Sequence, residues 1–109
     1  MVMGWMLSPE FLMRRESYHL SFEEVIRKAS ERGVKVNIML YHESCFLSNG
    51  SQYVKEKLEK YENVRVLCHP SGKLPVLWSH HGKIVIVDER EAFIGGLDIC
   101  YGRYDSQTH

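Results

Sequence analysis

Residues 78–98 read WSHHGKIVIVDEREAFIGGLD and are the most informative part of the sequence. It holds two apolar runs, KIVIVD and EAFIGG, which meet at the polar residues Asp88, Glu89 and Arg90. Strand-forming runs on both sides of a short polar segment are typical of an antiparallel β-hairpin. We therefore predict two neighbouring strands near the carboxyl end of the sequence.

Upstream of this hairpin, helical and strand patterns alternate. Ser21 and Glu24 have the spacing of a capping box, and a helical apolar repeat follows them. Gly33 stands where a helix ends in a left-handed residue, and residues 34–41 then alternate as a strand. The predicted inner face of this helix comprises Phe22, Val25, Ile26 and Ala29.

A second helix and strand follow the first pair. Ser51 is the predicted cap of the helix, Asn63 ends it, and residues 64–67 form the next strand. The predicted buried stripe of this second helix comprises Tyr53, Val54, Leu58 and Tyr61. The predicted surface pairs of the helix are Lys55 with Glu59 and Glu56 with Lys60. Alternating helices and strands favour parallel pairing, so the sequence predicts one α/β domain.

The amino-terminal residues complete this domain. The apolar start of the sequence is interpreted as a strand cut near its beginning, and Ser8 with Pro9 has the pattern of a helix start. Residues 1–10 have no basic residue before the apolar stretch and no cleavage site of small residues, so we expect no signal peptide there. No apolar run approaches the roughly 20 residues of a membrane helix, and we expect a cytoplasmic protein.

Composition excludes several classes of protein. Of 109 residues 44% are hydrophobic and 26% are charged, with 8 Gly and 3 Pro, so the protein is neither disordered nor collagen-like. The formal net charge is zero, whereas nucleic-acid-binding proteins usually carry a basic excess. Three cysteines, Cys45, Cys68 and Cys100, show no CxxC spacing and favour a reducing compartment.

Candidate reactive groups lie along the first strand of the hairpin. His81 and Lys83 are two residues apart, so on a strand both side chains point to the same face. A neutral imidazole is a nucleophile or general base, and a neighbouring ammonium stabilises negative charge. Asp88 closes the strand, where we expect its carboxylate to reach the imidazole or the lysine. These groups suit attack on an anionic phosphodiester.

Two glycines and another carboxylate follow on the second strand. Gly95 and Gly96 have no side chains, so a ligand or a backbone segment can approach closely. Asp98 comes two residues later, and both a turn cap and a site-lining role stay open for it. His80 points away from His81 on a strand, so we expect a structural histidine beneath the site and no metal ion.

The spacing HxKxxxxD at 81–88, followed by GGLD at 95–98, resembles the HKD signature of the phospholipase D superfamily. Three flanking segments are similar to those around the first HKD motif of eukaryotic phospholipases D: WMLSPE at 5–10, ERGVKV at 31–36 and YGRYD at 101–105. The resemblance therefore covers nearly the whole sequence.

The resemblance implies a phospholipase D/nuclease-like fold, which is an α/β fold with a mixed β-sheet flanked by helices. It also implies that residues 1–109 are a fragment that forms part of the N-terminal catalytic domain. This fragment would contain one of two catalytic halves. The resemblance implies that His81 is either the nucleophile that forms a phosphohistidine intermediate or the general acid/base partner of that nucleophile. By the same resemblance Lys83 holds the phosphate and Asp88 supports the motif. Gly95, Gly96 and Asp98 then line the substrate site.

The implied reaction is hydrolysis of phosphatidylcholine to phosphatidic acid and choline, with transfer to a primary alcohol as a variant. The resemblance implies a protein peripherally associated with membranes. No metal or cofactor is implied for the chemistry, and phosphoinositides are implied as stimulators.

Two departures from the family pattern bear on function. Gly82 stands where Glu or Gln is expected, and the sequence carries one HKD motif where family enzymes combine two. We therefore expect a second HKD half as a partner. Two alternatives stay open: a homodimeric nuclease or phosphodiesterase with one motif in each copy, and a non-catalytic half-domain. The zero net charge favours a lipid over a nucleic acid.

Overall fold

The computed structural model describes residues 1–14, 20–42, 50–69 and 80–103. These residues form β1 (Val2–Gly4), α1 (Phe22–Glu31), β2 (Val36–Tyr41), α2 (Gly50–Leu58), β3 (Val64–His69), β4 (Lys83–Val87) and β5 (Glu91–Gly95). The strands make one sheet in the order β3-β2-β1-β4-β5. The predicted α/β domain with a mixed sheet is confirmed.

Strand directions divide the sheet into two parts. β1, β2 and β3 are parallel neighbours, as the alternation of strands and helices predicts. β4 runs antiparallel to both β1 and β5, which confirms the predicted hairpin. Its turn uses Asp88 and Glu89 with φ angles of 51° and 56°, a geometry whose twist matches that of the flanking strands.

Local capping signals set both ends of α1. The Ser21 side chain accepts a hydrogen bond from the Glu24 amide at 3.2 Å, and Gly33 has a φ of 78°. The Glu24 carboxylate binds Arg27 rather than the amide of Ser21, so only one half of the predicted capping box forms. The buried face of α1 comprises Phe22, Ile26 and Ser30, while Val25 and Ala29 are half-buried.

The pattern at Ser8 and Pro9 predicts the start of a short helix or turn, and of these two the structure contains the turn. Residues 8–11 form a turn in which the Phe11 amide donates to the Ser8 carbonyl at 3.0 Å. The backbone then pairs with the start of α1: the amides of Phe22 and Glu23 donate to the carbonyls of Phe11 and Pro9. These tertiary hydrogen bonds replace the intrahelical ones that a helix would need.

Several details predicted for α2 are wrong. The helix begins at Gly50, so Ser51 lies inside the first turn. Tyr53 is 48% exposed because its hydroxyl hydrogen bonds to Glu10. The predicted ion pair of Glu59 is absent from the described residues because the Glu59 carboxylate accepts from the Val66 amide of β3 at 2.9 Å. Lys60 likewise pairs with a residue of α1 instead of Glu56.

The hydrophobic core lies between the two helices and one face of β2 and β3. Alternate residues of β2 are buried, and Leu58 of α2 and Val64 of β3 have no exposed surface. The core cluster comprises Leu7, Phe22, Ile26, Val36, Ile38, Leu40, Val54, Leu58, Val64 and Val66. In the described part of the chain, no helix is both long and apolar enough to cross a bilayer.

Leu58 and Leu67 offer a matched test of this core. Leu58 is fully buried, whereas Leu67 is 52% exposed. Leu58→Ala is expected to lower the free energy of unfolding by about 2–5 kcal/mol, because it removes buried methyl groups and leaves a cavity. Leu67→Ala is expected to change it by about 0.5 kcal/mol or less. Equal losses in urea titrations would contradict this placement of the core.

An ion-pair network joins the turn after β1 to both helices. Lys57 of α2 pairs with Glu10 and, at 3.3 Å, with Glu23 of α1, while Lys60 reaches Glu23 at 2.8 Å. Burial acts to raise the pKa of Glu23, but hydrogen bonds from Lys60, Tyr61 and Lys57 outweigh it and hold this pKa below the ordinary 4.5. The network therefore stabilises the fold only while Glu23 is ionised.

This lowered pKa predicts a dependence of stability on pH. A carboxyl group with a lowered pKa in the folded state contributes stability above its unfolded-state pKa and loses it as the pH falls through the folded-state value. We expect the free energy of unfolding to fall below about pH 4.5. In the Glu23→Gln variant, the free energy of unfolding measured in urea titrations should fall less steeply with decreasing pH over the same pH range. Identical acid profiles for the two proteins would contradict a role for the network.

Candidate active site

The candidate site lies at the edge of the sheet where the parallel strands end. Trp5 follows β1, Tyr41 ends β2 and His69 ends β3. Because β4 is antiparallel to β1, its first residues reach the same edge, and they bring His80 and His81 with them. Ligands of open α/β sheets commonly bind outside the carboxyl ends of parallel strands.

A buried ion pair lies at the centre of this edge. The Lys83 ammonium is 3.2 Å from the Asp98 carboxylate, and the two side chains are 7% and 2% exposed. The other oxygen of Asp98 accepts hydrogen bonds from the backbone amides of Trp5 at 2.8 Å and Met6 at 3.2 Å. The Asp98 carboxylate therefore connects the end of β1, the start of β4 and the segment after β5.

Gly4 leaves room for this contact. A Cβ atom at Gly4 would lie 3.2 Å from Asp98 Oδ1 and 3.2 Å from the Met6 carbonyl oxygen. Both distances are tighter than ordinary van der Waals contact, and one of the two neighbours is backbone. The absence of a side chain at Gly4 thus permits the close approach of the carboxylate.

His81 is held next to Lys83 through its backbone. The Lys83 ammonium donates to the His81 carbonyl oxygen at 3.0 Å. His81 itself precedes β4 and is exposed, and its ring centre lies 5.7 Å from that of Trp5. The structure thus brings His81 and Lys83 together through a contact between the buried ammonium of Lys83 and the backbone of the exposed His81.

The structure does not bring Asp88 to this site. Asp88 follows the last residue of β4, whereas His81 precedes the first, and a strand of five residues is about 17 Å long. The exposed Asp88 instead occupies the hairpin turn, so the expectation that its carboxylate reaches the imidazole or Lys83 is wrong. Asp98 is the carboxylate that contacts Lys83.

Gly95 and Gly96 lie beside the site, and open space adjoins both of them. Gly95 pairs in register with Lys83, and, apart from the adjoining residues, no atom of the described part of the chain lies within 4 Å of a Cβ placed at either glycine. The predicted close approach of a backbone segment is therefore not seen here. The space beside them is open next to the buried lysine.

An aromatic cluster, which the sequence analysis did not assign to the site, surrounds the histidines. The ring of His80 lies 5.8 Å from the rings of both Tyr41 and His69, and Trp5 stacks on Tyr41 at 6.4 Å. Both nitrogens of His80 and the indole nitrogen of Trp5 are buried without a hydrogen-bond partner among the described residues. The half-buried His80 packs beneath the site, which agrees with the predicted structural role.

Cys100 is buried behind the ion pair. Burial raises the pKa of its thiol, and the negative charge of Asp98 adds to the effect. An unreactive, buried thiol is what the sequence predicts here.

A family model with the description "Phospholipase D" matches residues 1–109. The chain belongs to the phospholipase D family. The match supports a phospholipase D half-site in this chain. Lys83 and Asp98 form the buried ion pair of the candidate site described above.

Named relatives extend this finding across several organisms. The chain is 40% identical to "Phospholipase D C" of Dictyostelium discoideum over 99% of its length, and 42% identical to "Phospholipase D zeta 2" of Arabidopsis thaliana over 97%. It is 36% identical to "Phospholipase D1" of Homo sapiens over 99%. It spans only 7%, 11% and 11% of the lengths of these relatives, respectively.

Removal of the Asp98 carboxylate tests the central contact of this half-site. Asp98→Ala leaves a buried ammonium unpaired, and we expect it to lower the free energy of unfolding by about 3–5 kcal/mol. In the double variant Lys83→Met, Asp98→Ala the loss should be smaller, because no buried charge remains. Urea titrations measure both values. A double variant less stable than Asp98→Ala would contradict the pairing.

Proposed function

We propose that this chain supplies one catalytic half of a phospholipase D that hydrolyses phosphatidylcholine to phosphatidic acid and choline. One observation carries the proposal: the Lys83 ammonium binds both the His81 carbonyl oxygen and Asp98, so a fixed positive charge lies against the backbone of the exposed His81. Membership of the phospholipase D family supports the same reaction.

His81 is proposed as the nucleophile or as its acid/base partner. In the first role a ring nitrogen attacks phosphorus, the bond from phosphorus to the choline oxygen breaks, and the departing oxygen takes a proton from an acid on the other half. Water then attacks the phosphohistidine and gives a proton to the group that protonated choline, while the bond from phosphorus to nitrogen breaks to release phosphatidic acid. A primary alcohol in place of water gives the transfer reaction.

Lys83 is proposed to stabilise the charge on the phosphoryl oxygens. Its ammonium carries three protons, and two of them face His81 and Asp98. The third proton remains for a phosphate oxygen. Asp98 acts through Lys83 as a positioning residue, because it holds the ammonium and the backbone after β1 in one arrangement. The open space beside Gly95 and Gly96 would admit the substrate.

The proposed enzyme needs a second HKD half to complete its site, from further polypeptide or from another copy. We propose that it acts in the cytoplasm as a peripheral protein at membrane surfaces. The chemistry described needs no metal or cofactor, and stimulation by phosphoinositides is part of the proposal.

A chimera tests the proposed role of His81. This chain replaces the matched segment of human Phospholipase D1, which supplies the second half, and choline release from phosphatidylcholine vesicles is measured. His81→Ala should lower the rate by at least about a thousandfold, because the proposed bond from phosphorus to the His81 nitrogen can no longer form. The isolated chain should release no measurable choline.

Arg90→Ala provides the control for this experiment, because Arg90 is exposed at the tip of the hairpin, away from the site. It should leave the rate of the chimera unchanged. Choline release by the His81→Ala chimera at more than a tenth of the unsubstituted rate would refute the assigned role. Turnover of a nucleic-acid diester by the isolated chain, together with elution as a dimer, would favour the homodimeric alternative.

A further inference from the structure

A second concave site lies at the opposite end of the sheet. A cavity of about 180 Å³ opens where β2 and β3 begin, and it is lined by Lys35, Asn37, Glu62, Asn63 and Arg65. The candidate active site lies at the other ends of these strands. Strands of six residues separate the two sites by about 20 Å.

Arg65 is held in position by the backbone of β3 and the residues before it. One terminal nitrogen of its guanidinium donates to the Val64 carbonyl at 2.9 Å and to the Glu62 carbonyl at 3.3 Å. The other terminal nitrogen and Nε of Arg65 donate no hydrogen bond in the described part of the chain. These donors are therefore oriented before a ligand arrives, which reduces the entropy lost on binding.

Lys35 and Asn37 add donors beside this guanidinium. Asn37 pairs in register with Arg65, so their side chains are neighbours on the same face of the sheet. Lys35 precedes Asn37 by two residues and lines the same cavity. Three donor groups from two adjacent strands thus meet in one exposed cavity.

The two cations of this cavity, Lys35 and Arg65, form no ion pair with any carboxylate among the described residues. Glu62 lines the cavity but lies outside ion-pair distance of both. Two neighbouring positive charges without a partner repel each other, and a bound anion would relieve this repulsion.

We propose that this cavity binds a phosphate group, either as inorganic phosphate or as the phosphomonoester of a lipid headgroup. The guanidinium offers a pair of parallel donors to two phosphate oxygens, and the ammonium adds a point charge. The amide of Asn37 supplies a neutral donor. The site is separate from the catalytic half-site, and its existence does not depend on the proposed reaction.

Titration of the full chain with inorganic phosphate tests the site by nuclear magnetic resonance. Amide signals of residues 35–37 and 62–65 should shift in a saturable manner. The double variant Lys35→Ala, Arg65→Ala should weaken binding at least tenfold. Glu62→Gln should strengthen binding two- to threefold, since it removes a negative charge from the cavity.

Lys55→Ala is the matched control, because Lys55 lies on α2 and does not line the cavity. It should leave the affinity unchanged. The substituted side chains other than Lys55 are exposed, so the variants should fold, and circular dichroism checks this. Phosphate affinity that is the same in the double variant as in the parent, or signal shifts spread evenly over the surface, would overturn the proposal.

Vesicles distinguish the two sources of phosphate. Phosphatidylcholine vesicles with phosphatidic acid carry a phosphomonoester, whereas vesicles with phosphatidylglycerol carry a diester. Sedimentation with the first but not the second, abolished by Arg65→Ala, would assign the site to a lipid headgroup. Phosphate binding without sedimentation would assign it to a soluble phosphate. Equal sedimentation with both vesicles together with no phosphate binding would refute a phosphate site.

Discussion

The contact between the Lys83 ammonium and the Asp98 carboxylate holds together the edge of the sheet where the candidate site lies. Burial of two charges is costly unless hydrogen bonds compensate for the lost water, and here both groups have several partners. Asp98 binds two amides at the end of β1, and Lys83 binds the carbonyl of His81. One ion pair therefore fixes the ends of three chain segments that are distant in sequence. The position of His81 follows from this contact.

The fold was predictable wherever short-range signals set the structure. The polar residues between two apolar runs specify the hairpin, Ser21 caps α1, and Gly33 ends it with a positive φ. Short-range signals decided less where distant residues intervene. The pattern at Ser8 and Pro9 fits a short helix or a turn, and the turn forms because backbone groups of the adjoining segment bind the start of α1. Tyr53 fits an apolar stripe, but its hydroxyl binds Glu10.

The site was predictable in its residue types and less so in its geometry. The motif identified His81 and Lys83, but spacing alone did not show which of two carboxylates contacts the lysine. Asp88 is nearer in sequence, yet an extended strand carries it to the far end of the sheet, whereas the hairpin returns Asp98 to Lys83. Trp5 and Tyr41 join the site only because β1 and β2 are parallel and in register, which no local pattern reveals.

The outermost strand has a consequence for the behaviour of the molecule in solution. All five residues of β5 are exposed, Ile94 to 80% and Phe93 to 59%, and in the sheet of described strands β5 has β4 as its one neighbour. A flat, apolar strand with free backbone groups is a template for another strand. Without a covering strand, a preparation of this chain should therefore be prone to self-association that grows with concentration. Its handling would then be limited by colloidal stability before thermodynamic stability becomes limiting.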